Sequence, residues 1–521
     1  MTRDGANESI WQHNRENYQT KSTEDIPEKI FDVLIVGGGI TGITTALLLQ
    51  QAGKTCILAE AHTLGFGTTG GTTAHLNNFF DTPYHKVEKN FGEANAQLLA
   101  RAAKEAMSLI KKQVTTNSID CNYEERDAYL FAMNENQDKE LDELVNASKK
   151  LRLPVDFIND SPFPLPYLKI ACFREQAQFN PIPYIFKLAK IFEESGGIIL
   201  QDCRVGKLKE NDIIEADSCK GIITAKSVVY ATHIPPGVNV LHFKCAPYRS
   251  YAVAALLKSG EYPKALGYDM NDPYHYYRTQ NIDGKNFLIA GGEDHKAGHE
   301  QNTSTCFRRL ESHLRSYFDI ESIAFRWSSQ YFEPADGLPY IGQLPGSREN
   351  VFVATGFGGN GMIYGTLAGI VLRDLICKNE SVYKELFDPA RIKPIASFGN
   401  VVKEAADVVK VLISTPFSSE KLKELADLAP GEARIVKYEG NSMAIYKDEQ
   451  HGLHAVSAAC THIKCTISWN ETEKSWDCPC HGSRFSIDGE VLTAPARKDL
   501  EKMNPTSSTL VATESTDQHA G

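Results

Sequence analysis

The chain has 521 residues, of which 42% are hydrophobic and 23% are charged. This composition is typical of a globular protein of about three domains, and it excludes a fibrous, coiled-coil or wholly disordered chain. The 66 acidic and 55 basic side chains give a formal net charge of -11. A nucleic-acid binder, or a protein that docks on anionic lipid, needs a basic surface, so this charge argues against both classes.

One uncharged stretch, residues 33–53, has about the length of a membrane-spanning helix. It contains three consecutive glycines and two glutamines, which favour a strand, a turn and a helix instead. Residues 1–18 are polar and lack the apolar segment of a secretory signal. We therefore expect no integral membrane segment and a cytoplasmic protein.

Residues 1–30 are predicted to form a polar N-terminal arm, and a βαβ unit follows it. Residues 31–36 predict a buried strand, residues 40–51 a helix and residues 54–60 a second strand. Gly53 occupies the position of a helix C-cap. This order indicates a Rossmann-like α/β domain.

Further along the chain, the pattern predicts a second lobe. Helical composition at 92–113 and 136–151 is followed by mixed segments and then by short strand-like runs that alternate with turns. The alternation indicates an antiparallel sheet. We expect this substrate lobe to occupy about 150–200 and 245–335, before residues 351–376 return to the first lobe as a strand and an apolar helix.

The last part of the chain divides into three segments. Residues 379–430 are polar with helical composition and predict a connector. Residues 431–505 predict a compact β-rich module, and the Ser/Thr-rich residues 506–521 predict a disordered tail. The predicted fold class is thus an α/β (α+β) domain with an antiparallel substrate lobe, followed by a small all-β module.

A dinucleotide-binding motif lies between the first strand and the first helix. Gly37, Gly39 and Gly42 form G-x-G-x-x-G, and Glu60 ends the next predicted strand. Such glycines let the backbone approach a pyrophosphate at a helix N-terminus, while the carboxylate accepts from ribose hydroxyls. The motif does not separate FAD from NAD, and a glycine-rich structural turn is the alternative.

Four further segments carry a resemblance that favours FAD: 67–74, 228–233, 336–342 and 356–362. With the dinucleotide motif, and in this order along residues 31–378, they resemble the D-amino-acid-oxidase-type FAD-dependent oxidoreductases. The resemblance implies that glycines of the last segment lie beside the flavin ring. The implied cofactor-binding residues are Gly37, Gly39, Gly42, Glu60, Thr68, Thr69, Gly70, Thr232, Gly356, Gly358, Gly359, Asn360, Gly361 and Met362.

Two half-sites of cysteine and histidine lie in the C-terminal module. Cys460 and His462 form the first, and Cys478 and His481 form the second. Two thiolates and two imidazoles suit a structural zinc ion or an iron–sulfur cluster. Zinc fingers usually place paired cysteines before paired histidines, so mixed half-sites favour the cluster.

The module resembles Rieske [2Fe-2S] proteins, and the resemblance implies that the cysteines hold one iron and the histidines the other. It also implies a disulfide between Cys465 and Cys480, as in the Rieske proteins of respiratory cytochrome bc complexes. Ser483 matches a serine that donates to the cluster there. Phe485 replaces a hydrogen-bonding tyrosine, so we expect a lower reduction potential.

Candidate substrate residues are Arg249, Tyr277 and Arg278 on predicted strands of the substrate lobe. In the resembled flavoproteins an arginine or tyrosine on this sheet often positions the substrate, and an arginine can clamp a carboxylate with two hydrogen bonds. The alternative is ordinary packing on the two faces of a strand. We found no Asp-x-x-His-x₄-His pattern, which argues against a Rieske oxygenase.

These patterns predict an oxidoreductase with two cofactors, FAD and a [2Fe-2S] cluster. By resemblance, it oxidises an amino acid or a secondary amine at a C–N bond and passes single electrons to an external acceptor protein. A simple oxidase has no need of a one-electron cluster. Two alternatives are the reverse electron flow from a ferredoxin-like donor, and a redox sensor without enzymatic activity.

Overall fold

The computed structural model describes residues 5–21, 25–300, 302–392, 428–438 and 441–504. Most of the predicted connector and the whole predicted tail therefore lie outside the described residues. None of the described helices is both long enough and apolar enough to cross a membrane.

The described residues form strands, helices and one 3₁₀ helix, numbered here in chain order. The first strands are β1 (Phe31–Val36), β2 (Cys56–Ala59), β3 (His75–Leu76), β4 (Glu124–Ala132), β5 (Val155–Ile158), β6 (Lys169–Gln178), β7 (Ile198–Leu200), β8 (Val205–Glu210), β9 (Ile214–Ser218), β10 (Gly221–Tyr230), β11 (Cys245–Leu257) and β12 (Leu266–Asp269). The later strands are β13 (Tyr276–Ile282), β14 (Lys285–Lys296), β15 (Ile320–Pro334), β16 (Tyr340–Gln343), β17 (Val351–Thr355), β18 (Ala433–Tyr438), β19 (Asn441–Lys447), β20 (Leu453–Ser457), β21 (Ser468–Asn470), β22 (Ser475–Asp477), β23 (Arg484–Phe485) and β24 (Val491–Thr493). The helices are α1 (Ile40–Gln51), α2 (Thr68–Gly71), α3 (Tyr84–Phe91), α4 (Glu93–Thr116), α5 (Glu135–Lys150), α6 (Pro181–Glu194), the 3₁₀ helix Val240–Phe243, α7 (Ser304–Tyr317), α8 (Gly361–Lys378) and α9 (Lys384–Phe387).

The first lobe is built on a sheet of order β16-β17-β10-β1-β2-β7, with β9 beside β10 and β8 beside β9. Strand β1 pairs in parallel with both β2 and β10. Strand β1 and helix α1 are apolar and almost wholly buried, as expected of a sheet covered on both faces. The bounds of these two elements are those that the hydrophobic pattern predicts.

The substrate lobe is built on a sheet of order β15-β11-β14-β13-β12-β4-β6-β3, with β5 beside β6. Its pairs are antiparallel except for β12 with β4. Strands β3 and β4 precede the predicted start of this lobe at residue 150, whereas α6 and β7 lie inside the predicted range but join the first lobe. The two lobes are interleaved in the chain, and strand composition does not reveal which sheet a strand joins.

The C-terminal module has two small antiparallel sheets, β18-β19-β20 and β21-β22-β23-β24. The four cysteines of the module are buried in its core with Trp476 and Phe485. This agrees with the predicted all-β architecture. Of the predicted connector 379–430, the described part contains the short helix α9.

The N-terminal arm is more than the polar lead-in that composition predicts. Trp11 is fully buried, and its Nε1 donates to the Thr72 carbonyl at 2.5 Å. Ser9 donates to the Gly70 carbonyl, and Tyr18 donates to Glu193 at 2.6 Å. The arm is therefore part of the first lobe and is held there by Trp11. The average composition of the arm is polar and gives no sign of this buried side chain.

Candidate functional site

A cavity of about 810 Å³ lies between the two lobes. One wall is formed by the β1–α1 loop, the start of α2 and the loop before α8. The opposite wall comes from β11, β13 and β15 of the substrate lobe, and residues 491–494, 496 and 497 of the C-terminal module complete the lining. All three parts of the chain thus contribute to one cavity.

The β1–α1 loop fits a dinucleotide. Gly37 has φ +114, and a Cβ there would stand 2.5 Å from the Ala231 carbonyl oxygen. A Cβ at Gly42 would stand 1.8 Å from the Gly37 oxygen, so only glycine allows the helix to start this close to the strand. Glu60 accepts from the Gly38 N–H at 2.6 Å and faces the cavity. Burial raises the pKa of Glu60, although backbone N–H groups oppose this shift.

The loop before α8 presents bare backbone to the cavity. A Cβ at Gly361 would meet nothing within 4 Å, so the space in front of it is open. Gly358 has φ +55, and the Gly359 N–H donates to Asp81 Oδ2 at 2.7 Å. A flat ring can approach such a surface closely, which fits the flavin of FAD.

The structure brings most of the predicted cofactor residues to this cavity. Gly42, Gly70 and Gly356 do not line it. Gly70 lies under the N-terminal arm, since a Cβ there would stand 2.4 Å from Gln12 Nε2. The predicted residues that line the cavity are Gly37, Gly39, Glu60, Thr68, Thr69, Thr232, Gly358, Gly359, Asn360, Gly361 and Met362.

The predicted metal ligands converge in the C-terminal module. His462 and His481 have ring centroids 5.1 Å apart, and neither of the two nitrogens of each ring has a hydrogen-bond partner among the described residues. Cys460 and Cys478 share a hydrogen bond, which lowers the pKa of Cys460 to about 7 and raises that of Cys478. Buried polar groups without partners need a ligand, and this set fits a [2Fe-2S] cluster.

The predicted disulfide between Cys465 and Cys480 is present. Ser483 is fully buried, and its hydroxyl hydrogen-bonds the Cys460 sulfur, which lowers the pKa of that thiol. Phe485, which is also buried, offers no such donor. The serine predicted to donate to the cluster is therefore in place.

The three candidate substrate residues do not line the cavity. Arg249 donates to Ser328 at 2.6 Å and lies 3.7 Å from Asp477 of the C-terminal module. Tyr277 hydrogen-bonds His313 on the opposite face of the sheet. Arg278 donates to the carbonyls of Thr73, Ala74 and Phe179, behind the cavity wall. Strand alternation explains the difference for Arg249 and Tyr277, because their neighbours Ser250 and Tyr276 face the cavity instead. Arg278 shares the face of Tyr276, but its guanidinium is held by the main-chain carbonyls named above.

Sequence reasoning missed the residues that line the substrate side. Tyr276 hydrogen-bonds Ser250 at 3.0 Å, and the Tyr331 hydroxyl donates to Asp294 Oδ2 at 2.9 Å. Tyr274 completes this wall. The only sequence signal is the density of tyrosine near predicted strands, which does not say which face each ring occupies.

Asp294 is the carboxyl group of this wall with an unpartnered oxygen. Its Oδ1 has no hydrogen-bond partner among the described residues. Burial raises the pKa of Asp294 to about 7, and hydrogen bonds from Ser250 and Tyr331 oppose the shift. A carboxylate with this pKa can exchange a proton with a bound amine near neutral pH.

The cluster histidines lie against the flavin-binding part of the chain. Gln330 Nε2 donates to the Gly482 carbonyl at 2.8 Å, and Thr68 of the cavity wall donates to the Gln330 carbonyl at 3.4 Å. The His242 ring lies 4.8 Å from His462, centroid to centroid. Gln330 thus links Thr68 of the cavity wall to Gly482, the residue after the cluster ligand His481.

Fold and site together define a flavin-dependent oxidoreductase that carries an iron–sulfur module. A family model described as FAD dependent oxidoreductase matches residues 32–375, and a Rieske [2Fe-2S] domain model matches residues 419–504. The chain belongs to the FAD dependent oxidoreductase family and has a C-terminal Rieske domain. Its first domain binds FAD, and its Rieske domain carries a [2Fe-2S] cluster.

Relatives agree with this assignment. The chain is 34% identical over 476 residues to the protein YhfW of Bacillus subtilis, and the match covers 91% of this chain and 93% of that protein. The full name of YhfW contains the words "Rieske 2Fe-2S iron-sulfur protein". It is 24% identical over 363 residues to gamma-glutamylputrescine oxidoreductase of Escherichia coli, covering 66% of this chain and 83% of that protein. The structure of glycine oxidase from Geobacillus kaustophilus shows the same fold, with a TM-score of 0.58 at 18% identity, and covers 70% of this chain and 99% of that chain.

Proposed function

We propose that the protein oxidises an amine or amino acid at the C–N bond and passes the electrons through the Rieske cluster to an external one-electron acceptor protein. The substrate loses a hydride from the carbon beside nitrogen and a proton from the nitrogen, and it becomes an imine. FAD, when bound, takes up the two electrons, and the cluster takes and releases one at a time.

One observation carries this proposal: the Rieske module contributes to the lining of the flavin cavity. Six residues between 491 and 497 line it, and the hydrogen bond from Gln330 to Gly482 joins the substrate sheet to the cluster loop. A module that only stabilised the fold would not need the loop beside a cluster ligand this close to the cavity wall. The arrangement favours electron transfer inside one chain.

The cavity-lining glycines and Glu60 would hold FAD, and the two cysteines and two histidines of the module would ligate the cluster. On the substrate side, Tyr276 and Tyr331 would orient the amine, and Asp294 would hold or receive its proton. Arg249, Tyr277 and Arg278 would support this wall from behind instead of touching the substrate.

We also propose a cytoplasmic location. Apart from the cluster ligands, eight cysteines are free thiols, and most of them are buried. A chain with many unpaired thiols is typical of a reducing compartment. The acceptor would then be a cytoplasmic electron carrier.

An anaerobic titration of the holoprotein with amine tests the function. Because FAD holds two electrons and the cluster one, complete reduction should need about one and a half molecules of amine per chain. The flavin absorbance and the EPR signal of the reduced cluster report the two sites separately. A titration that ends with the flavin bleached and the cluster oxidised would refute the proposed electron path. Reduction of the two cofactors by a ferredoxin system but not by amine would show that electrons flow in the opposite direction.

A further inference from the structure

Acidic side chains line the substrate side of the cavity. Among the described residues of the substrate wall and of the neighbouring segments 75–83 and 130–144, no lysine or arginine lines the cavity. The two arginines that do line it lie elsewhere: Arg204 donates to the Val491 carbonyl, and Arg497 donates to the Pro236 carbonyl. The acidic residues on the substrate side are Asp81, Glu140, Asp269, Asp272 and Asp294.

Four polar atoms on this side have no partner among the described residues. Asp294 Oδ1 and the side-chain carbonyl oxygen of Asn77 are acceptors, whereas Ser329 Oγ and His75 Nε2 can accept or donate. Asn77 is 6% exposed and lines the cavity, while its amide donates to the Tyr268 hydroxyl at 2.5 Å. Buried acceptors without donors indicate a ligand that brings N–H groups.

Aromatic rings complete the wall. Tyr268, Tyr274, Tyr276 and Tyr331 all line the cavity. The faces of such rings carry partial negative charge and attract a cation within about 6 Å. Carboxylates, unpaired acceptors and ring faces all favour the same kind of ligand.

We propose that the substrate is an organic amine that binds as a cation and carries no carboxylate beside the reacting carbon. This inference rests on the proposed function and narrows its substrate class from amino acids and amines to amines alone, such as a diamine. Asp294 and Asn77 accept from the ammonium group, and the tyrosines surround its alkyl part.

A carboxylate on the substrate is disfavoured for two reasons. No arginine among the described residues lines this wall, because the Arg249 guanidinium donates to Ser328 and that of Arg278 donates to the carbonyls of Thr73 and Ala74. A second negative charge beside the buried Asp294 carboxylate would also be repelled, because burial weakens the screening by water. The same chemistry that attracts an amine thus rejects an α-amino acid.

The proton balance of the reaction is consistent with this assignment. Hydride loss from carbon requires a neutral nitrogen, so the ammonium proton must leave before the C–H bond breaks. Asp294 is the acceptor placed to take it, and from there the proton can pass to solvent through the cavity. The hydride provides the two electrons that the proposed function then passes to the external acceptor.

Matched ligand pairs test the inference on the oxidised holoprotein without oxygen. Cadaverine and lysine differ by one carboxylate, and so do putrescine and ornithine. Dissociation constants are measured from the change of the oxidised flavin spectrum, which does not depend on turnover or on the cluster. We expect each diamine to bind at least tenfold more tightly than its carboxylated partner.

Two variants test whether the amine binds at the proposed residues. Asp294→Asn should weaken diamine binding about tenfold or more, while FAD content and the cluster spectrum stay unchanged. Tyr331→Phe, which removes the hydrogen bond to Asp294, is a second and milder variant for the case in which the first fails to fold. Asp156→Asn removes a surface charge of the same lobe, paired with Lys149 at 3.0 Å, and should change nothing.

The outcomes separate this inference from the proposed function. Tighter binding of lysine or ornithine, no binding of either class, or unchanged binding in Asp294→Asn and Tyr331→Phe would overturn it. Diamine binding that bleaches the flavin but never reduces the cluster would support the substrate class and refute the electron path.

Discussion

At the scale of single residues, the hydrogen bonds of the cluster cysteines have a direct electronic consequence. Ser483 donates to the Cys460 sulfur, whereas the buried Phe485 has no hydroxyl to offer. A hydrogen bond to a cluster sulfur stabilises the more negative, reduced state. We therefore expect the reduction potential of this cluster to lie below that of clusters with two hydroxyl donors and above that of clusters with none.

Ser483→Ala should lower the reduction potential of the cluster. The loss of about 1 kcal/mol of hydrogen bonding to the reduced state corresponds to about 40 mV for a one-electron couple. A redox titration followed by EPR measures the shift. Ser468→Ala, on strand β21, is the control and should leave the potential unchanged; an equal potential in Ser483→Ala and the native protein would contradict the assignment.

The pKa of Asp294 predicts a pH dependence of amine binding. The carboxylate must be ionised to hold a cation, and burial raises its pKa to about 7, so affinity is full above this pH and is lost below it, by about tenfold per pH unit. The titratable groups that interact with Asp294 are Asp81, Tyr274, His275, Tyr276 and Tyr331.

This dependence is measured as the dissociation constant of cadaverine between pH 5.5 and 8.5, a range of about three units around that pKa. Asp294→Asn should flatten the profile, while Asp156→Asn should keep it. A profile that keeps its slope in Asp294→Asn would assign the titration to another group.

At the scale of elements, the sequence predicted the strands, helices and ligands whose residues form a recognisable pattern within a short segment. The strand β1 and the helix α1 follow directly from an apolar run, three glycines and a segment of helical composition. The four cluster ligands follow from their spacing, together with the resemblance to Rieske proteins. The sequence did not show which face of β11 and β13 lines the cavity, because alternation defines two faces of a strand without showing which one faces the cavity.

The N-terminal arm shows the same limit. Its polar composition conceals Trp11, whose ring is buried and lies over the Arg278 guanidinium at 5.3 Å. Only the fold shows that this ring and the Gln12 amide cover the loop around Gly70. Burial of a single side chain by distant residues leaves no periodic trace in the sequence.

Trp11→Ala should destabilise the first lobe by about 3–5 kcal/mol, because it leaves a cavity and removes the donor to Thr72. The unfolding temperature should fall by several degrees, and FAD should be lost more readily on dilution. Thermal unfolding followed by flavin fluorescence measures both effects. Glu16→Ala, at an exposed position of the same arm, should behave as the native protein, and equal stability of the two variants would show that the arm is dispensable.

At the scale of the whole molecule, the Rieske module is held to the substrate lobe by buried polar contacts. Arg249 and Asp477 approach to 3.7 Å with both side chains almost wholly buried, and Ser328 donates to Glu473 at 2.7 Å. Gly298 lies so close to Pro479 that a Cβ would stand 2.8 Å from it. These contacts fix the cluster loop against the flavin-binding part of the chain.

Arg249→Met should loosen this contact, because it leaves the Asp477 carboxylate with fewer buried partners, at a cost of about 3 kcal/mol. We expect electron transfer from flavin to cluster to slow more than the reduction of the flavin by amine. Rapid mixing without oxygen resolves the two steps. Arg434→Met, which breaks a surface pair of the same module, is the control, and equal transfer rates in both variants would refute the role of the interface.

The central claim is that electrons pass from flavin to cluster inside one polypeptide, and single-turnover rapid mixing of the holoprotein with one equivalent of amine tests it most directly. The account predicts that bleaching of the flavin is followed by the EPR signal of the reduced cluster, at a rate that does not depend on protein concentration. A cluster that stays oxidised while the flavin bleaches, or a rate proportional to protein concentration, would contradict it.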